Sequence, residues 1–333
     1  MDLVSTLALL AKGLVVLLIF LAAPLIFVLA ERKILGRIQS RRGPNRVGPL
    51  GLFQTVADGI KLGTKEDIIP PAADRVVFWV APLFMVIPAI AAWSVIPFGP
   101  MVEIGRETGL WITNLNVGIL FVLALGSLNT YGPVMSGWSS NSKYAHFGAL
   151  RSGAQIISYE LTLGLAVLAV VVYAGSFSLI DIVESQRHMW LVAPQFLGFL
   201  IFIVSGVAET NRAPFDLPEA ETEIVAGYFV EYTGIRFAMF FIAEYANMFL
   251  MSMLVTVLYL GGWNGFTIPG LEGVSGVVWT MAKALTLMFG YFWLRATLPR
   301  LRYDQLMSFC WKILLPLGVL NLLVASVLRM VWS

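Results

Sequence analysis

The sequence specifies an all-α fold: a polytopic membrane helix bundle of about eight transmembrane helices plus a short amphipathic interfacial helix. Three observations carry this. Of 333 residues, 58% are hydrophobic and 13% charged, against roughly 25% charged in soluble domains. Apolar runs near the ~20 residues needed to cross a bilayer recur along the chain. Lysine and arginine crowd into alternate connections, as topology signals do.

The first run, 7–30, reads as a retained helix and not a leader: Asp2 is the only charge before Lys12, and no small-residue cleavage site precedes Glu31. The connection 31–75 is too long for a simple turn. Within 52–62, Leu52, Phe53, Val56, Ala57 and Ile60 recur at helical spacing, with Gln54, Asp58 and Lys61 opposite. That pattern predicts an amphipathic helix at the interface or tucked against the bundle. Gly43-Pro44 and Gly48-Pro49 mark the turn before it. Further spans follow at 76–97, 115–136, 156–175 and 191–208; after an acidic loop, 209–236, come 237–260, 276–296 and 309–330. The whole chain, 1–333, reads as a single membrane domain. No fixed-period repeat is visible, which argues against an inverted-repeat transporter.

Placing the loops 31–75, 137–155, 209–236 and 297–308 on one side puts 17 of the 22 lysines and arginines there or at adjoining helix ends. The positive-inside rule makes that side cytoplasmic and both termini external. A net charge of +2 gives no global field for nucleic acid. Cys310, His146 and His188 are too few for an iron–sulfur cluster or a zinc site. The two histidines fall on opposite membrane sides, against a shared haem. No metal or redox cofactor is expected in this chain, so electron chemistry belongs to another.

Acids within spans are costly and mark function by default. Glu31 ends the first span, Glu160 opens the fourth, Glu209 closes the fifth and Glu244 lies inside the sixth. The string ETNRAPFDLPEAETE, from Glu209 to Glu223, adds a dense acidic stretch, with Glu231 beyond it. A structural reading competes here. Asp216-Leu217-Pro218-Glu219 fits a helix start, with Asp216 as N-cap and Glu219 in a capping box, and Glu221 and Glu223 would then favour the helix dipole. That account leaves Glu160 and Glu244 unexplained. Glu219 and Glu223, four apart on one face, would raise each other's proton affinity, a property a proton relay needs. The basic stretch Arg32–Arg46 fits a topology signal meeting lipid headgroups and equally a docking surface for a soluble partner.

Five strings carry a resemblance: AERKILGRIQSRRGPNRVGPLGLFQTVADGIKLGTKE (30–66), SGWSSNSKYAHFGALRSGAQIISYE (136–160), AETNRAPFDLPEAETEIVAGYFVEY (208–232), FFIAEYANM (240–248) and LRATLPRLRYDQLM (294–307). In this order they resemble the H-subunit family of bacterial NADH–quinone oxidoreductase, respiratory complex I. The resemblance implies a membrane subunit of a redox-driven proton pump that joins the soluble arm to the other membrane-arm subunits in the bacterial inner membrane. Quinone is then the substrate, and flavin and iron–sulfur clusters sit in partner subunits. It places a quinone chamber at Glu31, Arg32, Arg37, Phe53, Ala57, Asp58, Lys61, Tyr232 and Arg236, with Arg295 and Arg300 as further candidates. It places the proton or coupling path at Glu160, Glu209, Asp216, Glu219, Glu221, Glu223, Glu231 and Glu244, and subunit docking at Arg41, Arg42 and Arg46. The alternatives are a membrane anchor of a related hydrogenase, a stand-alone transporter, or a purely structural anchor.

Overall fold

The computed structural model describes residues 3–104, 106–109, 111–218, 221–267 and 271–332; the side chains of 3–9, 102–104, 106–108, 221, 222 and 332 lie outside that description. Glu219 and the Glu221 side chain therefore lie outside the described residues.

Helix α1 (Leu3–Ile38) rises about 54 Å at ~1.5 Å per residue. It continues past the expected boundary, so Glu31 and Arg32 ride on helix and not on loop. A turn at 49–51 leads into α2 (Gln54–Thr64). Asp74 caps α3 (Arg75–Trp93) by accepting from the amides of Val76 and Val77. A small antiparallel hairpin, β1 (Met101–Ile104) with β2 (Arg106–Gly109), fills the next connection. Nothing in the sequence pattern announced it, because four-residue strands are too short to show alternation. The third span is α4 (Gly118–Asn129) and α5 (Tyr131–Ser139), divided where Pro133 cannot donate a helical bond back to Asn129.

Helix α6 (Lys143–Ala174) begins well before the expected 156, and Gly175 ends it in the left-handed region at φ 77°. Glu160 thus sits mid-helix. After the short α7 (Leu179–Ser185) comes α8 (Phe196–Glu209). There follow α9 (Glu221–Ile224), α10 (Gly234–Leu258), α11 (Glu272–Thr297) and α12 (Tyr303–Phe309). A π-helical turn at Cys310–Leu314 joins α12 to α13 (Leu315–Trp332).

Among the described residues seven helices are long and apolar enough to cross a membrane, and α8 is a shorter apolar one. At 14 residues α8 rises only about 21 Å, short of the ~30 Å hydrocarbon layer. Irregular but buried flanks complete its traverse. At one end Val192 N–H donates to Tyr259 O (2.9 Å), and Gln186 serves the amides of Leu191 and Gly261 (3.1 and 3.0 Å). At the other, Gln155 Nε2 donates to Ala208 O and Phe215 O, both at 2.8 Å.

Alternate connections gather at one end of the bundle. Asp74 N–H meets Ser139 O (3.0 Å), Leu301 N–H meets Pro214 O (3.1 Å), Thr233 Oγ1 donates to Glu66 O (3.3 Å), and Arg151 pairs with Glu223 (2.7 Å). The 31–75, 137–155, 209–236 and 297–308 connections therefore share one basic end. At the opposite end Thr113 N–H bonds Ser94 O and Ile119 N–H bonds Phe177 O, both at 3.2 Å.

Candidate functional site

The charged side chains that apolar helices should exclude converge near the basic end. Glu31 on α1 accepts from Tyr245 Oη at 2.8 Å and is paired with Arg295 of α11. Arg212, in the loop after α8, lies 3.8 Å from Glu31 and 2.6 Å from Glu244 of α10. Its guanidinium also covers the Tyr245 ring at 4.4 Å. The side chains of Glu31, Arg212 and Glu244 are 4–8% exposed. Buried charge survives only when paired, and here two carboxylates face two guanidinium groups, so the cluster is neutral as a unit.

Asp216 extends it: Arg300 Nη2 reaches Asp216 Oδ2 at 2.8 Å. The expected N-cap role is not what the structure shows, because no helix starts at 216 and the carboxylate is spent on Arg300. Burial pushes the Asp216 carboxyl above the usual carboxylate range, and Arg300 first, then Arg295 and Arg212, pull it back.

A second acidic pair lies between α4, α6, α8 and α10. Ser127 Oγ donates to Glu160, and a cavity of about 30 Å³ opens between Glu160, Glu209, Thr210, Asn129 and Asn247. Glu209 Oε2 and Asn129 Oδ1 are buried with no protein partner. The cavity's remaining lining is mostly apolar, and its volume is that of about one water molecule. Asn247 stands one helical turn from Glu244 on the same face of α10.

The remaining acids of the expected path separate from these. Glu223 is half-exposed and paired with Arg151 at 2.7 Å, and Glu231 is part-buried beside Tyr232.

The expected chamber residues divide between surface and interior. Arg32 and Asp58 form an ion pair at 2.5 Å, with Gln54 Nε2 adding a bond to Asp58 at 3.0 Å. Arg37, Phe53 and Lys61 are exposed, as are Arg41, Arg42 and Arg46, and Ala57 is part-buried. Leu52, Phe53, Val56 and Ile60 are 46–63% exposed, whereas Thr55 is buried. Helix α2 thus turns its polar edge toward α1 and presents its apolar edge outward, the reverse of a helix tucked in by its apolar face. Tyr232 is buried, stacked on Phe78 at 4.0 Å and donating to Phe78 O at 3.3 Å. Burial pushes its phenol up to about 12, so it remains a hydrogen-bond donor. Arg236 is buried too, paired with Asp67 at 3.0 Å and stacked over Trp79 at 3.7 Å.

Arg212, Tyr245, Ser127, Asn129 and Asn247 were not singled out as site residues by sequence. Arg212 had a usable signal: one cation inside an acidic string that directly follows an apolar helix.

A family model described as NADH dehydrogenase matches residues 11–326. The first of the H-type subunits of NADH-quinone oxidoreductase in Geobacter metallireducens is 50% identical over 318 residues, covering 95% of each chain. The H-type counterpart in Thermomicrobium roseum is 51% identical over 311 residues, covering 90% of this chain and 89% of its own. That of Frankia alni is 49% identical over 325 residues, 96% of this chain and 72% of the relative.

Proposed function

Because the chain belongs to the NADH dehydrogenase family as an H-type subunit of an NADH-quinone oxidoreductase, we propose that its basic end walls the quinone chamber and starts the path coupling quinone reduction to proton movement. One observation carries this: Arg212 joins Glu31 on α1 to Glu244 on α10 inside an otherwise apolar bundle.

The chamber wall in this reading runs along α1 at Glu31, Arg32 and Arg37 and along α2 at Phe53, Ala57, Asp58 and Lys61, backed from within by Tyr232, just before α10, and Arg236 in its first turn, with Arg295 and Arg300 beside it. An isoprenoid quinone asks for a mostly apolar tunnel with a few polar groups for its head, and in this reading these residues supply mainly the polar part. Its reduction takes up two electrons, delivered by partner subunits that hold flavin and iron–sulfur clusters, and two protons. Glu31 lies where events at the quinone head are felt, and Arg212 transmits the change in charge to Glu244. From Glu244 the route continues by Asn247 and the small cavity to Glu209 and Glu160. Asp216, Glu223 and Glu231 flank its entrance in the 209–236 loop, and Glu219 and Glu221 are assigned to it from the sequence alone.

The exposed Arg41, Arg42 and Arg46 suit docking of the soluble arm. The basic end faces the cytoplasm in this reading, with both termini on the outer side of the bacterial inner membrane. The test is Glu244→Gln in the assembled complex. Quinone-coupled turnover and proton translocation should fall together, while electron transfer from NADH to an artificial acceptor survives. A normal ratio of protons to electrons in that variant would refute the coupling path.

A further inference from the structure

Helix α2 is fastened to the bundle along two edges of different character. On the α1 side the Arg32–Asp58 pair is open to solvent, its side chains 47% and 33% exposed, and exposed pairs hold weakly. On the α10 side the cation of the fastening is buried, while its anion, Asp67, keeps 28% exposure. Arg236, only 3% exposed, places Nη2 at 3.0 Å from Asp67 Oδ2 and lays its guanidinium 3.7 Å from the centre of the Trp79 ring. Thr233 Oγ1 accepts from Ile68 N–H at 3.2 Å and donates to Glu66 O at 3.3 Å. Gly234 sits at φ +59°, where a Cβ would come within 3.3 Å of Lys65 O and 3.4 Å of Leu62 O. Its lack of a side chain lets the end of α2 close on the first turn of α10.

These contacts fall within 62–68 on one strand of chain and within 233–236 on the other. We propose that Asp67, with Arg236 and Thr233, forms a positioning clamp that fixes α2 against α10. Arg236 then acts on the quinone through the 62–68 segment and not by touching it. Its Nε and Nη1 are sealed from the surface, so a quinone head does not reach them in this arrangement. Asp67 is the one anion that meets Arg236 among the ion pairs of the described residues. Without it a buried cation loses its counter-charge, and the segment opens before the rest of the bundle does. The clamp rests on the chamber reading above only for its effect on quinone.

The experiment uses the assembled complex carrying Asp67→Asn, with Asp67→Glu as the conservative rescue. Hydrogen–deuterium exchange across 62–68 should quicken about tenfold in Asp67→Asn, the change a ~1.4 kcal/mol loss produces, and return toward normal in Asp67→Glu. KM for long-tailed quinone should rise while NADH oxidation by an artificial acceptor is unchanged. Exchange that does not change in Asp67→Asn overturns the clamp, whatever the kinetics. Faster exchange with an unchanged KM upholds the clamp and removes α2 from the chamber wall.

Discussion

Replacing Glu244 by glutamine tests the charge balance of the buried cluster, because it removes one negative charge and almost no volume. Arg212 keeps a neutral acceptor where the carboxylate lay 2.6 Å away, and Glu31 remains 3.8 Å from it. Glu31 already serves Arg295 and Tyr245, so one carboxylate must then balance two guanidinium groups. Breaking a buried pair costs about 3–5 kcal/mol. The retained acceptor puts this substitution at the low end, about 3 kcal/mol, or roughly two orders of magnitude in the population of the locally opened state. Removing the cation as well, in Glu244→Gln with Arg212→Gln, restores neutrality to that half of the cluster. The double variant should recover to within about 1 kcal/mol of the parent, since a neutral buried pair that is hydrogen-bonded is tolerated. Hydrogen exchange of α10 in the assembled complex reads the stability, and proton uptake per NADH reads the coupling. Stability should return in the double variant while coupling stays lost. If the double variant is as unstable as the two single losses added together, the pair does not link α10 to the loop after α8, and the reasoning fails.

Three further outcomes follow from named residues. Ala57→Leu adds bulk on α2 between its exposed apolar edge and the bundle, at about 1–3 kcal/mol if neighbours must yield; quinone reduction should slow with assembly intact, and kinetics that stay normal across quinone tail lengths would place Ala57 away from the substrate. Replacing the exposed Arg37, Arg42 and Arg46 together should release the soluble arm while the chain still inserts, as measured by co-purification; full retention would leave them as a topology signal. A protease site placed at Phe266, which is 77% exposed beyond α10, should be cut from outside in intact cells, and cutting only after lysis would reverse the orientation.

What the sequence revealed and what it hid have distinct physical causes. The spans were legible because hydropathy is a local property, and Glu31, Glu160 and Glu244 stood out because each interrupts or ends an apolar run. Their partners were not legible. Arg295 lies 264 positions from Glu31, and Arg300 lies 84 from Asp216, separations that only the closed bundle brings together. Asp216 read as a helix cap because its neighbours have cap chemistry, yet a carboxylate next to a guanidinium in a buried loop gains more from the ion pair than from free amides. For α2, the 3.6-residue period defined an apolar face correctly but carried no information on what that face meets. In the folded chain Leu52, Phe53, Val56 and Ile60 turn outward while Asp58, on the opposite edge, meets Arg32.

The shortness of α8 explains why the cluster lies where it does. A helix of full length would have carried Glu209 to the surface and left the following loop in water, where Arg212 and Asp216 need no partners. With 14 residues the helix ends inside the bundle, and the next turns of chain are buried in protein, the one setting in which irregular backbone is tolerated at membrane depth. Its carbonyls must then be met by side chains, and Gln155 meets Ala208 O there at 2.8 Å, with Phe215 O beyond it at the same distance. Once the backbone is held there, Arg212 and Asp216 have no route to solvent and must find counter-charges among α1, α10 and the chain beyond α11. The sequence supplies them as Glu31, Glu244 and Arg300. Lengthening α8 by one turn should therefore disperse the whole cluster, a change that no single substitution within it reproduces.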